Sequence, residues 1–392
     1  MPTDSALQTL ASLETQALNF VGVLGLLILI GICVAFVYWL IKHYWQARRL
    51  LTGRLLLITV PKWEEISDVK SQVPPAQASS ARAEQMFSEL HGLLKQGFTG
   101  LFTPQDVFSF EILATHENIS FYVFCPKPLT EKIINLIQSN YPEADIQEVP
   151  DYNPFPSGGF VDSTRIGLKG PIYAPTRTFA SFTVDPLNSL TNKMASLETG
   201  ETLLIQMICS PAGDSWRRRG FLYLNRLQSN LNKNSESSTT TSGLPRSIEK
   251  KFASQEVILD QDLYQKVEQK IKKPAFSLIL NCVSVAKTKS QATANLKNLV
   301  LSFAQFNLSP LSQFVQAATL DTTMINHIFS RTPHLWQVPW SYTKMVLNTE
   351  EVATLFHLPS SAVTTPRILW LKAKKAAAPT TIPKEGLHLG YN

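Results

Sequence analysis

The chain has 392 residues, 44% of them hydrophobic and 17% charged, which is the composition of a folded protein with room for two or three cored domains; wholesale disorder is excluded. A net charge of +6, from 36 basic and 30 acidic residues, is a mild bias that suits phosphate or anionic lipid without demanding either. Cys33, Cys125, Cys209 and Cys282 lie far apart with no CxxC, so neither a zinc site nor a disulfide framework is expected, and the natural reading is buried free thiols in a reducing compartment.

Residues 1–19 form a short tail with Asp4 and Glu14 and no Lys or Arg. Phe20–Ile41 follows without one formal charge, and its 22 residues at about 1.5 Å each suffice to cross a bilayer core. Tyr38, Trp39, Tyr44 and Trp45 gather at one end, and Lys42, Arg48, Arg49 and Arg54 come next. Because the basic excess lies wholly C-terminal to the span, the positive-inside rule predicts a single-pass helix in the cell inner (plasma) membrane, tail outside and body cytoplasmic. Trp39, Lys42, Trp45, Arg48 and Arg49 are the predicted membrane-interface residues. Arg48, Arg49 and Arg54 also suit membrane lipid of negative charge.

The body begins with a predicted strand in "RLLLITVP", a polar proline-bearing stretch, and a helix with Met86, Phe87, Leu90 and Leu94 at helical spacing. Two apolar runs about a polar turn at His116, Glu117 and Asn118 predict a hairpin. A helix with Ile133 and Ile137 on one face and the strand "ADIQEVP" then complete a βαββαβ order over residues 54–150, the split arrangement of a ferredoxin-like unit. Residues 165–325 repeat the plan, with a first strand at "RTFASFTV", a helix opened by Asp185 and Pro186, and the strand "ETLLIQMICSPA". A helical insertion over residues 212–273 comes next, holding the low-complexity run "NKNSESSTTTSGLPRS". The strand "AFSLILNCVSVA", a helix striped by Leu296, Leu299, Val300, Phe303 and Phe306, and "SQFVQAATL" finish the unit. The expected fold class is therefore α+β, one transmembrane helix followed by two tandem ferredoxin-like units.

Residues 344–359 carry a full helix-start signal: Asn348 as cap, Glu351 reaching back, Leu347 stapled onto Val352, and Pro359 as the stop. Residues 360–392 read as a basic, Ala- and Pro-rich linker, and the closing "PTTIPKEGLHLGYN" as the approach to a further strand.

No GxxxxGK(S/T) loop, no GxGxxG turn and no HExxH occurs, so no cofactor, metal or catalytic residue is assigned. "GDSWR" lacks the second glycine of a nucleophile elbow, which makes Ser215 a helix-start residue rather than a nucleophile. His91, His116 and His357 read as surface or helix-flank residues. Arg217, Arg218 and Arg219, with Lys372, Lys374 and Lys375 in the tail, are the candidate phosphate or nucleic-acid contacts. A solvated face accounts for the same charge run.

Taken in order, the anchor, "FYVFCPKPLTEKIINLIQSNYPEADIQEVPDY", "ETLLIQMICSPAGDSWRRRG", "NCVSVAKTKSQATANLKNLVLSFAQFN" and "LNTEEVATLFHLP" resemble the membrane-anchored N-terminal region of bacterial type IV secretion and conjugative DNA-transfer ATPases, the TraG-type coupling proteins of the HerA and FtsK superfamily. The resemblance runs from about Phe20 to the final residues. It implies a motor domain following such a tail, and since no phosphate loop is present, ATP hydrolysis is not carried over. It implies instead a non-enzymatic membrane module that positions or assembles a HerA- or TraG-like DNA-translocating ATPase, with membrane lipid as a further partner. Direct DNA binding, self-association and a scaffold for another envelope complex are the alternatives.

Overall fold

The computed structural model describes residues 4–62, 75–97, 100, 103–152, 159–236, 261–308, 311–319, 331 and 345–372. Helix α1 (Asp4–Leu51) is a single 48-residue rod, about 72 Å long at 1.5 Å per residue. Within it Phe20–Lys42 has a mean hydropathy of 3.0 and is 0% buried, so it is long and apolar enough to cross a membrane. Gly53 turns this rod directly into β1 (Arg54–Thr59).

The body that follows is a nine-stranded antiparallel sheet. Its first half holds β1, helix α2 (Pro75–His91), β2 (Phe108–Thr115), β3 (Ile119–Cys125), α3 (Thr130–Asn140) and β4 (Asp145–Val149). The second half holds β5 (Phe160–Lys169), α4 (Leu187–Met194), β6 (Thr202–Ala212), α5 (Ser215–Glu236), α6 (residues 261–272), β7 (Ala275–Ala286), α7 (Lys289–Ser302) and β8 (Gln313–Thr319). Strand β9 (Met345–Asn348) and helix α8 (Thr349–Leu355) close the described chain. Strand order across the sheet is β4-β1-β3-β2-β6-β7-β5-β8, and β9 pairs with the stretch of β7 that β5 leaves unpaired.

Alternation along the strands decides the two faces. On one face Leu56, Phe110, Phe121, Met207 and Leu280 meet Phe87 of α2, Ile137 of α3, Leu190 of α4, Leu299 of α7 and Val352 of α8 in a single apolar core. That core runs beneath the helices of both halves. The tandem units expected from the sequence therefore share one sheet and one core, joined where β2 pairs with β6 from Phe108↔Cys209 to Thr115↔Thr202. The inserted helices α5 and α6 pack separately, with Trp216, Leu224, Val267 and Ile271 against Ala275 and Val346. The middle of the insertion lies outside the described residues.

Three local expectations are corrected. Strand β5 is Phe160–Lys169, not "RTFASFTV": the N–H groups of Thr176 and Phe179 donate to Glu351 and Thr354 of α8 at 2.7 and 2.9 Å, so that segment's donors are taken by side chains rather than a strand. Strand β9 was absent from the sequence reading. Residues 360–372 are not free linker, since Val363 and Ile368 are buried and Leu369 and Leu371 donate to the carbonyls of Ile119 and Val60 at 2.9 and 3.0 Å.

Candidate functional site

The collar of α1 stands where the apolar segment ends. Trp39 stacks on Phe36 with ring centroids 5.9 Å apart, and the Lys42 ammonium lies 5.8 Å from the Tyr38 ring centre. Trp45 and Arg48 are exposed. Arg49 turns to the body and pairs with Asp106 at 2.8 Å, and Lys95 binds the other oxygen of that carboxylate at 2.9 Å. One residue on, Leu50 is buried with Leu55, Val107, Phe124 and Ile208. The end of the rod is thus built into the sheet's second face. Arg54 pairs instead with Glu148 at 2.6 Å.

The basic residues proposed for phosphate contact are not brought together. Arg217 is half-buried, donating to the Lys273 carbonyl at 2.8 Å and pairing with Asp214 at 3.0 Å, while Arg218 and Arg219 on the same helix are exposed. They sit beyond the Ala212↔Ala275 end of the strands, which is the end where α1 enters. Lys372 is exposed and follows Leu371, whose N–H reaches Val60 at the other end of β1. Nine residue rows separate Ala212 from Val60 through the paired registers of β6, β2, β3 and β1, about 30 Å at 3.3 Å per residue. Lys374 and Lys375 lie outside the described residues. Ser215 is exposed at the first turn of α5, next to Asp214, as the helix-start reading requires.

A polar belt that the sequence reading missed crosses the face opposite the core helices. Glu111, Gln206, Asn281 and Arg165 are direct cross-strand neighbours on β2, β6, β7 and β5. They form an unbroken chain of hydrogen bonds: Arg165 Nε donates to Asn281 at 3.1 Å, Asn281 to Gln206 at 3.1 Å, and Gln206 to Glu111 at 3.0 Å. Arg331 closes it with a fork on Glu111 at 2.7 and 3.0 Å and a second fork on Asp151 at 2.9 Å, its guanidinium 4.4 Å from the Phe124 ring centre. The Tyr152 hydroxyl donates to Glu111 at 2.6 Å. Burial acts to raise the Glu111 pKa, but Arg331 outweighs it and holds the carboxyl below its usual range. The same burial, with Glu111 beside it, pushes Tyr152 well above the ordinary phenol. The signal for the belt was present: "FSFEILAT", "LLIQMIC", "SLILNC" and "STRIGL" each carry one large polar residue inside an apolar strand.

A family profile described as a domain of unknown function, DUF8128, matches residues 61–371. The chain belongs to the DUF8128 family. No curated protein matches it. The belt and the Arg217–Arg219 patch fall within the DUF8128 span, whereas Lys372 follows it and the collar and β1 precede it.

Two further buried ion pairs lie inside the DUF8128 span. His357, expected at the surface, is 0% exposed and bonded to Asp185 at 2.9 Å. Lys270 of α6 and Glu351 of α8 pair at 3.0 Å with both side chains buried. Burial lowers the Lys270 pKa even with Glu351 against it. Glu351 also accepts from the Asn348 N–H while Asn348 accepts from the Glu351 N–H, both at 2.9 Å, so the expected capping box is formed. Of the other histidines singled out, His91 and His116 contact the Ala212 and Leu197 carbonyls at 3.1 Å. Cys125, Cys209 and Cys282 are buried and free; burial raises all three thiols, Cys125 to about 11, which removes them as nucleophiles. Among the described residues no group of three or more His, Cys, Asp or Glu is arranged to hold a metal.

Proposed function

We propose that this DUF8128 chain is a membrane-anchored, non-enzymatic assembly module whose body is held against the cytoplasmic face of the inner membrane. The observation that carries this reading is that a 23-residue apolar segment of α1, none of it buried, runs without a break into a helix end embedded in the sheet. A cleavable leader would have no need of Leu50 in the core of the mature body. The orientation follows from the charge: Lys42, Arg48, Arg49 and Arg54 lie on the body side, and no basic residue precedes the span.

Within the sheet, each half repeats one strand order, β4-β1-β3-β2 in the first and β8-β5-β7-β6 in the second. We read this as two ferredoxin-like units fused edge to edge, a duplication that leaves the helices of both halves on one side. The partner proposed is a DNA-translocating ATPase of the HerA and TraG kind, and this rests on the resemblance of the anchor and the strand-helix blocks. The separation of Arg217–Arg219 from Lys372 gives no continuous basic groove, so direct DNA binding is the weaker reading.

The anchoring is tested by alkaline carbonate extraction, in which the full chain is expected to stay with the membrane pellet; release into the supernatant sinks the proposal. The partner is tested by crosslinking in native membranes followed by affinity capture and mass spectrometry. Recovery of an ATPase of that superfamily is the expected result, and its consistent absence removes that half of the proposal.

A further inference from the structure

We infer that the end of α1 and the connection between β3 and α3 together form a binding site for the phosphate of an anionic phospholipid headgroup. A cleft of about 440 Å³ opens there, lined by Tyr44, Trp45, Arg48, Arg49, Lys127 and Pro128. Its composition is split. Tyr44 and Trp45, 64% and 56% exposed, supply an apolar wall on the bilayer side, and the cations supply the opposite wall.

Arg49 is committed to Asp106, which Lys95 also binds. Arg48 and Lys127 have no acidic partner among the described residues and are both exposed. They come from different elements. Lys127 is held between Pro126 and Pro128, whose rings restrict the loop as it leaves β3, and its carbonyl accepts from Thr130 at 3.0 Å. Its backbone is therefore fixed beside α1 by the fold.

The depth of the cleft selects the occupant. The apolar segment ends at Lys42, and Tyr44 and Trp45 follow within about 5 Å along the helix axis, Arg48 at about 9 Å. The headgroup layer on each side of a bilayer core is about 5–7 Å thick. Aromatic rings thus fall in the layer they favour, and the Arg48 backbone lies just beyond it, from where its long side chain can reach back to lipid phosphates. A lipid whose phosphodiester bridges Arg48 and Lys127, with its glycerol against the Tyr44 and Trp45 rings, satisfies both walls at once.

This inference rests on α1 spanning the bilayer, and the experiment separates the two. The full chain is reconstituted in nanodiscs of equal parts phosphatidylcholine and phosphatidylglycerol, released into mild detergent, and its retained lipid counted by native mass spectrometry. Selective retention of phosphatidylglycerol is expected. The double variant Arg48→Gln, Lys127→Gln should lower that retention about thirty-fold, roughly fivefold for each cation. The double variant Lys289→Gln, Lys297→Gln, an equal charge loss at two exposed positions on α7, should leave it unchanged. Equal retention of the two lipids, or full retention by the double variant, overturns the site. Displacement of the lipid by millimolar inorganic phosphate would reassign it to free phosphate and overturns the lipid assignment. A chain that resists carbonate yet retains no phosphatidylglycerol defeats this inference alone; one that carbonate extracts defeats the anchor itself.

Discussion

Both ring nitrogens of His357 face acceptors, Nδ1 the Ala353 carbonyl and Nε2 the Asp185 carboxylate, each at 2.9 Å. A neutral imidazole carries one N–H and can serve only one of them, so the charged ring fits the site. Burial opposes that charge, but Asp185 and the Ala353 carbonyl outweigh it and the His357 pKa is raised. A raised folded-state value means the contribution to stability is whole below the ordinary histidine value of about 6.5 and is lost as pH rises through the raised one. Thermal unfolding of the full chain is expected to show a melting temperature that falls as pH climbs above about 6.5, and His357→Gln should abolish that fall. At the belt, Arg331→Met strands the buried Glu111 carboxylate and should cost about 3–5 kcal/mol in urea denaturation. Adding Glu111→Gln should recover a large part of that loss, because the stranded charge is then gone; a double variant as unstable as the single would show that the Glu111–Arg331 pair is not what is lost.

The joint between α1 and the body depends on Gly53. A methyl there would clash with the tip of the Phe124 ring, and that ring carries the Arg331 guanidinium on its face. Gly53→Ala is expected to move Phe124, loosen both contacts and cost about 1–3 kcal/mol, read as a lower urea midpoint. Gly213, with nothing near its absent side chain, is the control, and Gly213→Ala should stay within about 0.5 kcal/mol. Most elements were legible locally, because periodicity along β2, β3, β6 and β7 and along α2, α3 and α7 is written in the residues themselves. Asn348 and Glu351 announced α8 in the same way. The missed strands have separate causes. Strand β5 has Ser163 and Arg165 on the belt face, which hides its apolar alternation, and β9 is only four residues long, a strand solely because β7 offers it an edge.

Across the whole molecule, the β2–β6 pairing makes the two halves one folding unit. Residues 54–372 should unfold in a single transition, with the amides of β2 and β6 exchanging hydrogen only by global opening. A fragment of residues 54–152 would leave the edge of β2 and the apolar residues beneath it uncovered, and size-exclusion chromatography should find it aggregated. A soluble, folded fragment would instead mean that the halves are independent domains. The proposed assembly role belongs to this scale as well, since a single-sheet body joined directly to the end of a long apolar helix would present the same surfaces to every partner.

The sequence alone determined the apolar rod, its charge asymmetry, the capped helix and most strands, because length, purity and period are properties of contiguous residues. It marked Glu111, Gln206, Asn281 and Arg165 as polar residues in apolar surroundings without saying that they meet. Only the tertiary structure decided that, along with the fusion of the halves, the distance between the basic patches and the convergence of Arg48 with Lys127. Each of these depends on which strands lie side by side and in what register. A buried charge finds its partner across the sheet, and nothing in the neighbouring residues records how far along the chain that partner lies.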